Sequence, residues 1–195
     1  MDAIRWMLGE RAPIAISAYG SKKILHDDRT IPDTLEVSFE FESGAIINFA
    51  VYEACGGELV KGGEIELRGT KANLICDQNG YQITPTKGGQ FQERGSLVSG
   101  EKKTLEGGTH FGDLNIREDS TANLIRNFLD CVKSREKPWC ELEEGHRSTT
   151  FAHLANIAVE KGIRIEWDPD NEQILNHREA NNLLHYKYRS PWDSI

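Results

Sequence analysis

Apolar and polar residues alternate strictly in one early segment of the chain. Between 35 and 42 every second residue is apolar, and the residues between them are Glu or Ser. This period of two predicts an antiparallel strand with one covered and one wet face. Ser43-Gly44 then predicts a tight turn, and the returning strand, 45–53, is apolar on both faces. We expect that strand to be covered on both sides, by a helix layer or by a partner subunit.

Shorter patterns predict the remaining elements of the first two thirds. A helix over 2–8 is expected to end at Gly9. The pair Asn79-Gly80 is a strong hairpin signal. The glycine-rich stretch from about 85 to 118 shows no period, so we expect a lid, a binding arm or disorder there. The predicted short strands are 14–18, 64–68, 74–76 and 81–84.

Two amphipathic helices are predicted to close the core. The first runs from about 120 to 135 behind an Asp119-Ser120 cap, and the second from 142 or 145 to 161, ended by Gly162. A strand over 163–167 and a short helix over 178–185 follow, and the tail with Pro191 and Trp192 is expected to dock on a surface. The order predicts one α+β domain, 1–195, in which helices pack on one face of a large, mostly antiparallel sheet.

Composition narrows the class of protein. The 195 residues are 38% hydrophobic and 28% charged, as in an ordinary globular protein. The net charge of -8 argues against binding to nucleic acid or to an anionic membrane surface. No apolar run approaches the roughly 20 residues of a spanning helix, and the first residues do not resemble a signal peptide. Four cysteines without CxxC spacing are expected to be free thiols, so we expect a cytoplasmic protein.

The usual nucleotide-binding motifs are absent from this sequence. It contains neither G-x-G-x-x-G nor G-x-x-x-x-G-K-[ST]. We therefore expect no cofactor to bind this chain alone. No metal site is expected either, since His146 and His153 are seven residues apart, about 10.5 Å along a helix.

Two polar clusters could carry chemistry. The run 143–147 lies at a predicted helix N-terminus, where it could hold an anion such as a sugar acid or a phosphate. A solvated first turn is the more economical interpretation. The second cluster combines Asp27-Asp28-Arg29 with Asp33. Paired acids can perform acid–base chemistry, but a charged loop is the favoured interpretation.

Several motifs, taken in order, resemble one known family. They are Asp2-Ala-Ile-Arg-Trp-Met-Leu-Gly9, the segments 31–44, 63–72 and 123–130 with Lys137-Pro138, the run 143–150, and Ile165-Glu-Trp-Asp168. Together they resemble the C-terminal domain of the Gfo/Idh/MocA oxidoreductases, and the resemblance covers essentially the whole chain.

The resemblance implies a protein with an N-terminal Rossmann domain and a C-terminal α+β domain. In such proteins the nicotinamide of NAD or NADP lies at the domain junction, and the substrate is a sugar, a polyol or a related compound. A minority of the family uses NAD in glycoside cleavage. The open sheet face often packs against another subunit, so a homo-oligomer is implied here, with a Rossmann domain as a further partner.

The chain departs from the family pattern at the catalytic residues. The family's catalytic Lys lies in a Glu-Lys-Pro motif of the Rossmann domain, whereas Glu136-Lys137-Pro138 follows a late helix and is interpreted as a surface turn. The catalytic Asp and His of the family would lie upstream of Met1. No catalytic residue is therefore assigned. The candidate substrate-binding residues are His110, His146 and Arg147.

Two classes of function remain open from the sequence. The first is the substrate-side domain of an NAD(P)-dependent oxidoreductase acting on a carbohydrate-like compound, not active alone. The alternatives are a stand-alone, non-catalytic binding or assembly module, or the corresponding domain of an NAD-dependent glycosidase.

Overall fold

The structure is a computed structural model that describes residues 1–53, 55–56, 64–77, 80–86, 98–104, 110–111, 114–115 and 120–192. The chain forms two compact units, Met1–Gly56 with Glu141–Ile195, and Gly57–Cys140. In chain order the elements are α1 (Asp2–Leu8), β1 (Ala15–Ser21), β2 (Thr34–Glu40), β3 (Ile46–Tyr52), β4 (Ile65–Arg68), β5 (Ala72–Asp77), β6 (Gly80–Pro85), β7 (Glu101–Thr104), β8 (His110–Phe111), β9 (Leu114–Asn115), α2 (Ser120–Ser134), α3 (Leu142–Lys161), β10 (Ile165–Asp168), β11 (Gln173–Ile174) and a 3-10 helix (Arg178–Leu183).

The first unit is a five-stranded antiparallel sheet with α3 packed on one face. Its strand order is β11-β10-β1-β2-β3. The alternating apolar residues of β1 and β2 face α3, whose stripe supplies the other half of the core. Phe151 of α3 is fully buried, and its ring lies 4.9 Å from that of Phe39. The α+β class and the one-sided helix layer are therefore confirmed.

The turn between β2 and β3 follows the prediction. Gly44 adopts a left-handed conformation with φ of 85°, and its N–H donates to the Phe41 carbonyl. Gly162 ends α3 in the same conformation, with φ of 64°. These positions favour glycine because a Cβ atom is strained at positive φ.

The second face of the five-stranded sheet, which we call the open face, points away from α3. On β3 the inward-facing Ile47 is buried, whereas the outward-facing Ile46 is 65% exposed. Within the first unit no described helix covers the open face, so the helix-layer cover considered for 45–53 is not found. Cover by a partner subunit remains a prediction. Other outward-facing residues include Ser17, Tyr19, Glu36, Ser38, Glu40, Asn48 and Ala50.

The second unit contains an antiparallel sheet of order β4-β5-β6-β7. The predicted hairpin is present, because β5 and β6 pair with Asp77 opposite Gly80. The turn residue Asn79 lies outside the described residues. The expectation of an irregular stretch from 85 to 118 is wrong where β7, β8 and β9 form, and β7 pairs with β6.

Helix α2 forms within the predicted bounds, but its apolar stripe is not in the core. The stripe residues are 44–57% exposed: Leu124, Ile125, Phe128, Leu129 and Val132. Periodicity identifies the apolar face of a helix and does not identify what covers it. The proposed cap residue Asp119 lies outside the described residues.

Glu136 and Lys137 follow the helix as an exposed segment, as predicted for a surface turn. None of the helices described is long and apolar enough to cross a membrane.

Candidate functional site

A buried guanidinium joins α1 to the N-terminal turns of α3. Arg5 is only 5% exposed. It donates to Ser148 Oγ at 2.8 Å, to Glu144 Oε2 at 3.2 Å and to the Arg11 carbonyl at 3.2 Å. Ser148 Oγ in turn donates to Asp2 Oδ1 at 3.0 Å. Hydrogen bonds to charged groups are stronger than neutral ones, so this cluster fixes α1 against α3.

The polar side chains of the run 143–147, at the start of α3, have partners on α3 itself and on neighbouring segments. Arg147 forms an ion pair with Glu143 one turn earlier, and its side chain is 13% exposed. His146 Nε2 lies 2.7 Å from Glu172 Oε1. Glu143 and Glu144 lie in the first helical turn, where acids are favoured by the helix dipole. The run is therefore more than a solvated turn, since its charges tie α3 to neighbouring segments.

Glu172 is placed by a tight turn between β10 and β11. The Asp168 carboxylate accepts hydrogen bonds from the Asn171 side chain and from the backbone N–H groups of Asn171 and Asp170 at 2.8–3.1 Å. These bonds hold the pKa of Asp168 below its usual value. Glu172 itself has φ of 50°, in the left-handed region that a glutamate rarely adopts. The turn thus holds a strained residue beside His146.

A shallow depression lies between these segments in the first unit. Its volume is about 10 Å³, room for about one water molecule, far below the roughly 300–1,000 Å³ of a typical ligand pocket. Three polar residues line it, Arg147, Thr150 and Glu172, together with five apolar residues: Ala12, Pro13, Phe151, Trp167 and Pro169. The guanidinium, the carboxylate and the hydroxyl can contact a compound rich in hydroxyl or carboxylate groups, whereas the Trp167 ring is only 5% exposed and belongs to the core. The depression therefore combines a few polar groups with a largely apolar lining, and it does not have the size of a closed site.

The second polar cluster forms a charged loop after β1. Asp33 is 2% exposed, and one of its oxygens accepts the backbone N–H groups of Leu25, Ile24 and Lys23 at 2.8–3.0 Å. These bonds hold the pKa of Asp33 at about 2, below its usual 3.8. A carboxylate held in that way organises the backbone, and it is a poor proton carrier near neutral pH.

The sequence-predicted candidates are only partly brought together. His146 and Arg147 are neighbours on α3, and Arg147 lines the depression. His110 is the first residue of β8, in the second unit, and its side chain is not among the described parts of the structure. Sequence reasoning did not single out Arg5 or Glu172. A lone Arg among the apolar residues of α1 was a usable signal, whereas nothing in the sequence pairs Glu172 with His146.

Among the described residues, no three His, Cys, Asp or Glu side chains form a cluster that could hold a metal ion.

Comparison with known proteins identifies the family. Residues 24–194 match the profile of the Gfo/Idh/MocA oxidoreductase family, C-terminal alpha/beta domain. The chain therefore belongs to this family, as the sequence motifs indicated. No match was found among curated proteins.

Similar solved structures support the same fold. An oxidoreductase from Agrobacterium radiobacter, in complex with NAD+, L-tartaric acid and magnesium, is 16% identical with a TM-score of 0.52 and covers 85% of this chain. A protein of Thermotoga maritima described as an oxidoreductase is 15% identical with a TM-score of 0.56 and covers 84%. An aldose-aldose oxidoreductase from Caulobacter crescentus, complexed with glycerol, is 15% identical with a TM-score of 0.50 and covers 85%. The chain spans 46%, 43% and 44% of these proteins, respectively. At such identities the likeness concerns the fold alone.

Proposed function

We propose that this chain is the substrate-side domain of an NAD(P)-dependent oxidoreductase that acts on a sugar, a polyol or a related compound. Family membership over 24–194 is the observation that carries the proposal. The 195 residues contain no G-x-G-x-x-G motif, so the cofactor belongs to a Rossmann domain and the chain is not active alone. Similar structures that contain NAD+ with tartaric acid, or glycerol, support a polyhydroxy substrate class.

The depression on the first unit is the proposed substrate wall. Arg147 can donate to a hydroxyl or a carboxylate, because guanidinium groups bind carboxylates with two parallel hydrogen bonds. Glu172, which is exposed, can accept hydrogen bonds from sugar hydroxyls. His146 holds Glu172 in place across 2.7 Å. His110, in the second unit, stays a separate proposed substrate-binding residue.

Exposed apolar side chains mark the proposed partner surfaces. Trp6 on α1 is 77% exposed and its neighbour Met7 is 40% exposed. An exposed tryptophan of this kind is typical of an interface, and a Rossmann domain is the partner that the family implies. The open face of the five-stranded sheet is the proposed homo-oligomer surface.

A ligand titration tests the proposed wall. We expect polyols, aldoses and sugar acids to shift NMR signals of residues around Arg147, with millimolar affinity because only one wall is present. Arg147→Met should remove these shifts. Arg178→Met, at an exposed position of the 3-10 helix, is the matched control and should leave them unchanged. Shifts that survive Arg147→Met, or no shifts with any compound, would argue against the wall.

A cofactor titration tests the division of labour. NADH fluorescence should not change saturably when the purified chain is added, because the pyrophosphate has no glycine-rich turn to bind. Saturable micromolar binding by this chain would contradict the assignment of the cofactor to another domain.

A further inference from the structure

The last described segment, 185–192, which we call the C-terminal tail, is both basic and aromatic. Its basic and aromatic residues are His185, Tyr186, Lys187, Tyr188, Arg189 and Trp192, and it contains no Asp or Glu. The rings of Tyr186 and Tyr188 pack edge to face with centroids 5.4 Å apart, while Trp192 is 56% exposed. Within the described part of the chain, Lys187 and Arg189 form no ion pair. Exposed aromatic and arginine side chains are enriched at protein interfaces.

The open face carries the complementary charge. Tyr19, Glu36 and Ala50 lie side by side on β1, β2 and β3. Tyr19 is 81% exposed, and the exposed Glu36 has no ion-pair partner among the described residues. Glu40 and Glu166 share the single guanidinium of Arg164, at 3.0 and 3.3 Å. The face therefore keeps a negative excess next to an exposed aromatic ring.

We propose that the C-terminal tail of one copy lies across the open face of a second copy. Lys187 and Arg189 approach the carboxylate of Glu36, and the tail rings pack on Tyr19 and Ile46. Two copies of a chain with a net charge of -8 repel each other, so a basic segment on an acidic face offsets that repulsion at the contact. This inference rests on the proposed role of the open face as the oligomer surface.

The geometry favours a second copy over the tail's own sheet. Ala180, in the 3-10 helix just before the tail, is fully buried in the core between the sheet and α3. The tail therefore leaves from the helix side of its own sheet, opposite the open face. Residues 185–189 span roughly 16 Å when extended, and the Trp192 N–H then donates to the Arg189 carbonyl in a turn. The three strands β1, β2 and β3 are about 10 Å across. The tail is long enough to cross these three strands of a partner, which carry Tyr19, Glu36 and Ile46.

Charge reversal on the two surfaces tests the proposal, with mass measured by size-exclusion chromatography and light scattering. The wild-type chain should dimerise in a concentration-dependent way. Lys187→Glu with Arg189→Glu, or Glu36→Lys alone, should weaken the dimer about tenfold or more. An equimolar mixture of the two variants should form heterodimers, because each reversed surface then meets an opposite charge. Arg178→Glu is the matched control and should dimerise like wild type.

Two outcomes would overturn the inference, and they differ in what else they affect. If Glu36→Lys weakens the dimer but the tail variant does not, the open face is the oligomer surface and the tail inference fails alone. If the wild type stays monomeric at every concentration, both the tail inference and the oligomer proposal fail. The substrate wall is judged separately by the Arg147 titration, and circular dichroism shows whether each variant is folded.

Discussion

A guanidinium that is withdrawn from water needs several hydrogen-bond acceptors, and Arg5 has them. Its three donor nitrogens each meet an oxygen, on Ser148, Glu144 and the backbone of Arg11. The cluster ends in Asp2, at the start of α1. The local sequence does not show these contacts, because the partners of Arg5 on α3 are about 140 positions away in the chain.

Arg5→Met should lower the free energy of unfolding by roughly 2–3 kcal/mol, the usual effect of removing charged hydrogen bonds from a buried site. Urea unfolding, followed by circular dichroism, measures this change. Arg11→Met is the matched control: Arg11 and its partner Asp170 are both exposed, and exposed ion pairs contribute less than about 1 kcal/mol. Equal losses in the two variants would show that the burial of Arg5 does not matter.

Phe151 is the central aromatic residue of the packing between α3 and the sheet. It is fully buried and its ring contacts Phe39 and Phe41. Phe151→Ala should therefore lower the free energy of unfolding by about 3–5 kcal/mol through lost burial and a cavity. Phe49, 40% exposed on the edge strand β3, supplies the comparison, and Phe49→Ala should cost less than half as much in the same urea experiment. A similar loss at both positions would contradict the one-sided core.

At the scale of elements, the loop after β1 depends on the ionised form of Asp33. Its folded pKa of about 2 is below the usual 3.8. A lowered carboxyl pKa stabilises the fold fully above about pH 4, and this contribution is lost as pH falls through about 2. Urea unfolding at a series of pH values should therefore show stability falling in this window.

Asp33→Asn isolates that contribution. The amide oxygen can still accept backbone hydrogen bonds, but it does not titrate. The variant should be less stable than wild type at pH 7, and its stability should fall less between about pH 4 and about pH 2. The exposed Asp28→Asn is the control and should follow the wild-type curve. An unchanged acid response in Asp33→Asn would show that other carboxylates determine it.

Elements with a regular apolar pattern were predictable from the sequence, and elements without one were not. The apolar residues of β2 pack under α3, so they alternate with polar residues along the strand. This alternation predicts the strand. Strand β7 reads Glu-Lys-Lys-Thr and is exposed along its whole length, so no hydrophobic pattern could reveal it. Its pairing with β6 depends on backbone hydrogen bonds, which every sequence can form.

The residues of the candidate site also differ in whether the sequence could predict them. Arg147 could be predicted because it belongs to a dense polar run at a helix start. Glu172 could not, since the turn that carries it is ordered by Asp168 and its meeting with His146 is a tertiary contact. The family motifs identified the fold, whereas the lining of the depression required the structure.

At the scale of the whole molecule, the packing of the core is more complete than the covering of large apolar side chains at the surface. The core of the first unit is closed, yet Trp6, Tyr19 and Trp192 remain more than half exposed. Exposed side chains of this size, separated along the chain, are better explained by contacts with other chains or domains than by packing within this one. The sequence predicted open surfaces, but it could not assign a partner to each of them.

The proposed tail contact makes a further prediction about salt. The Debye length falls from about 10 Å at about 0.1 M salt to about 3 Å at about 1 M. Pairing of Lys187 and Arg189 with Glu36 should therefore weaken, and the dimer dissociation constant should rise several-fold across this range. The aromatic contacts of Tyr19 and Trp192 are not screened, so some dimer should persist.

Sedimentation equilibrium at stepped NaCl concentrations measures the change. The tail variant Lys187→Glu with Arg189→Glu is the control, and it should not lose affinity as salt rises. A wild-type dimer that is indifferent to salt would leave the apolar contacts as the sole basis of the association and would contradict the charge pairing.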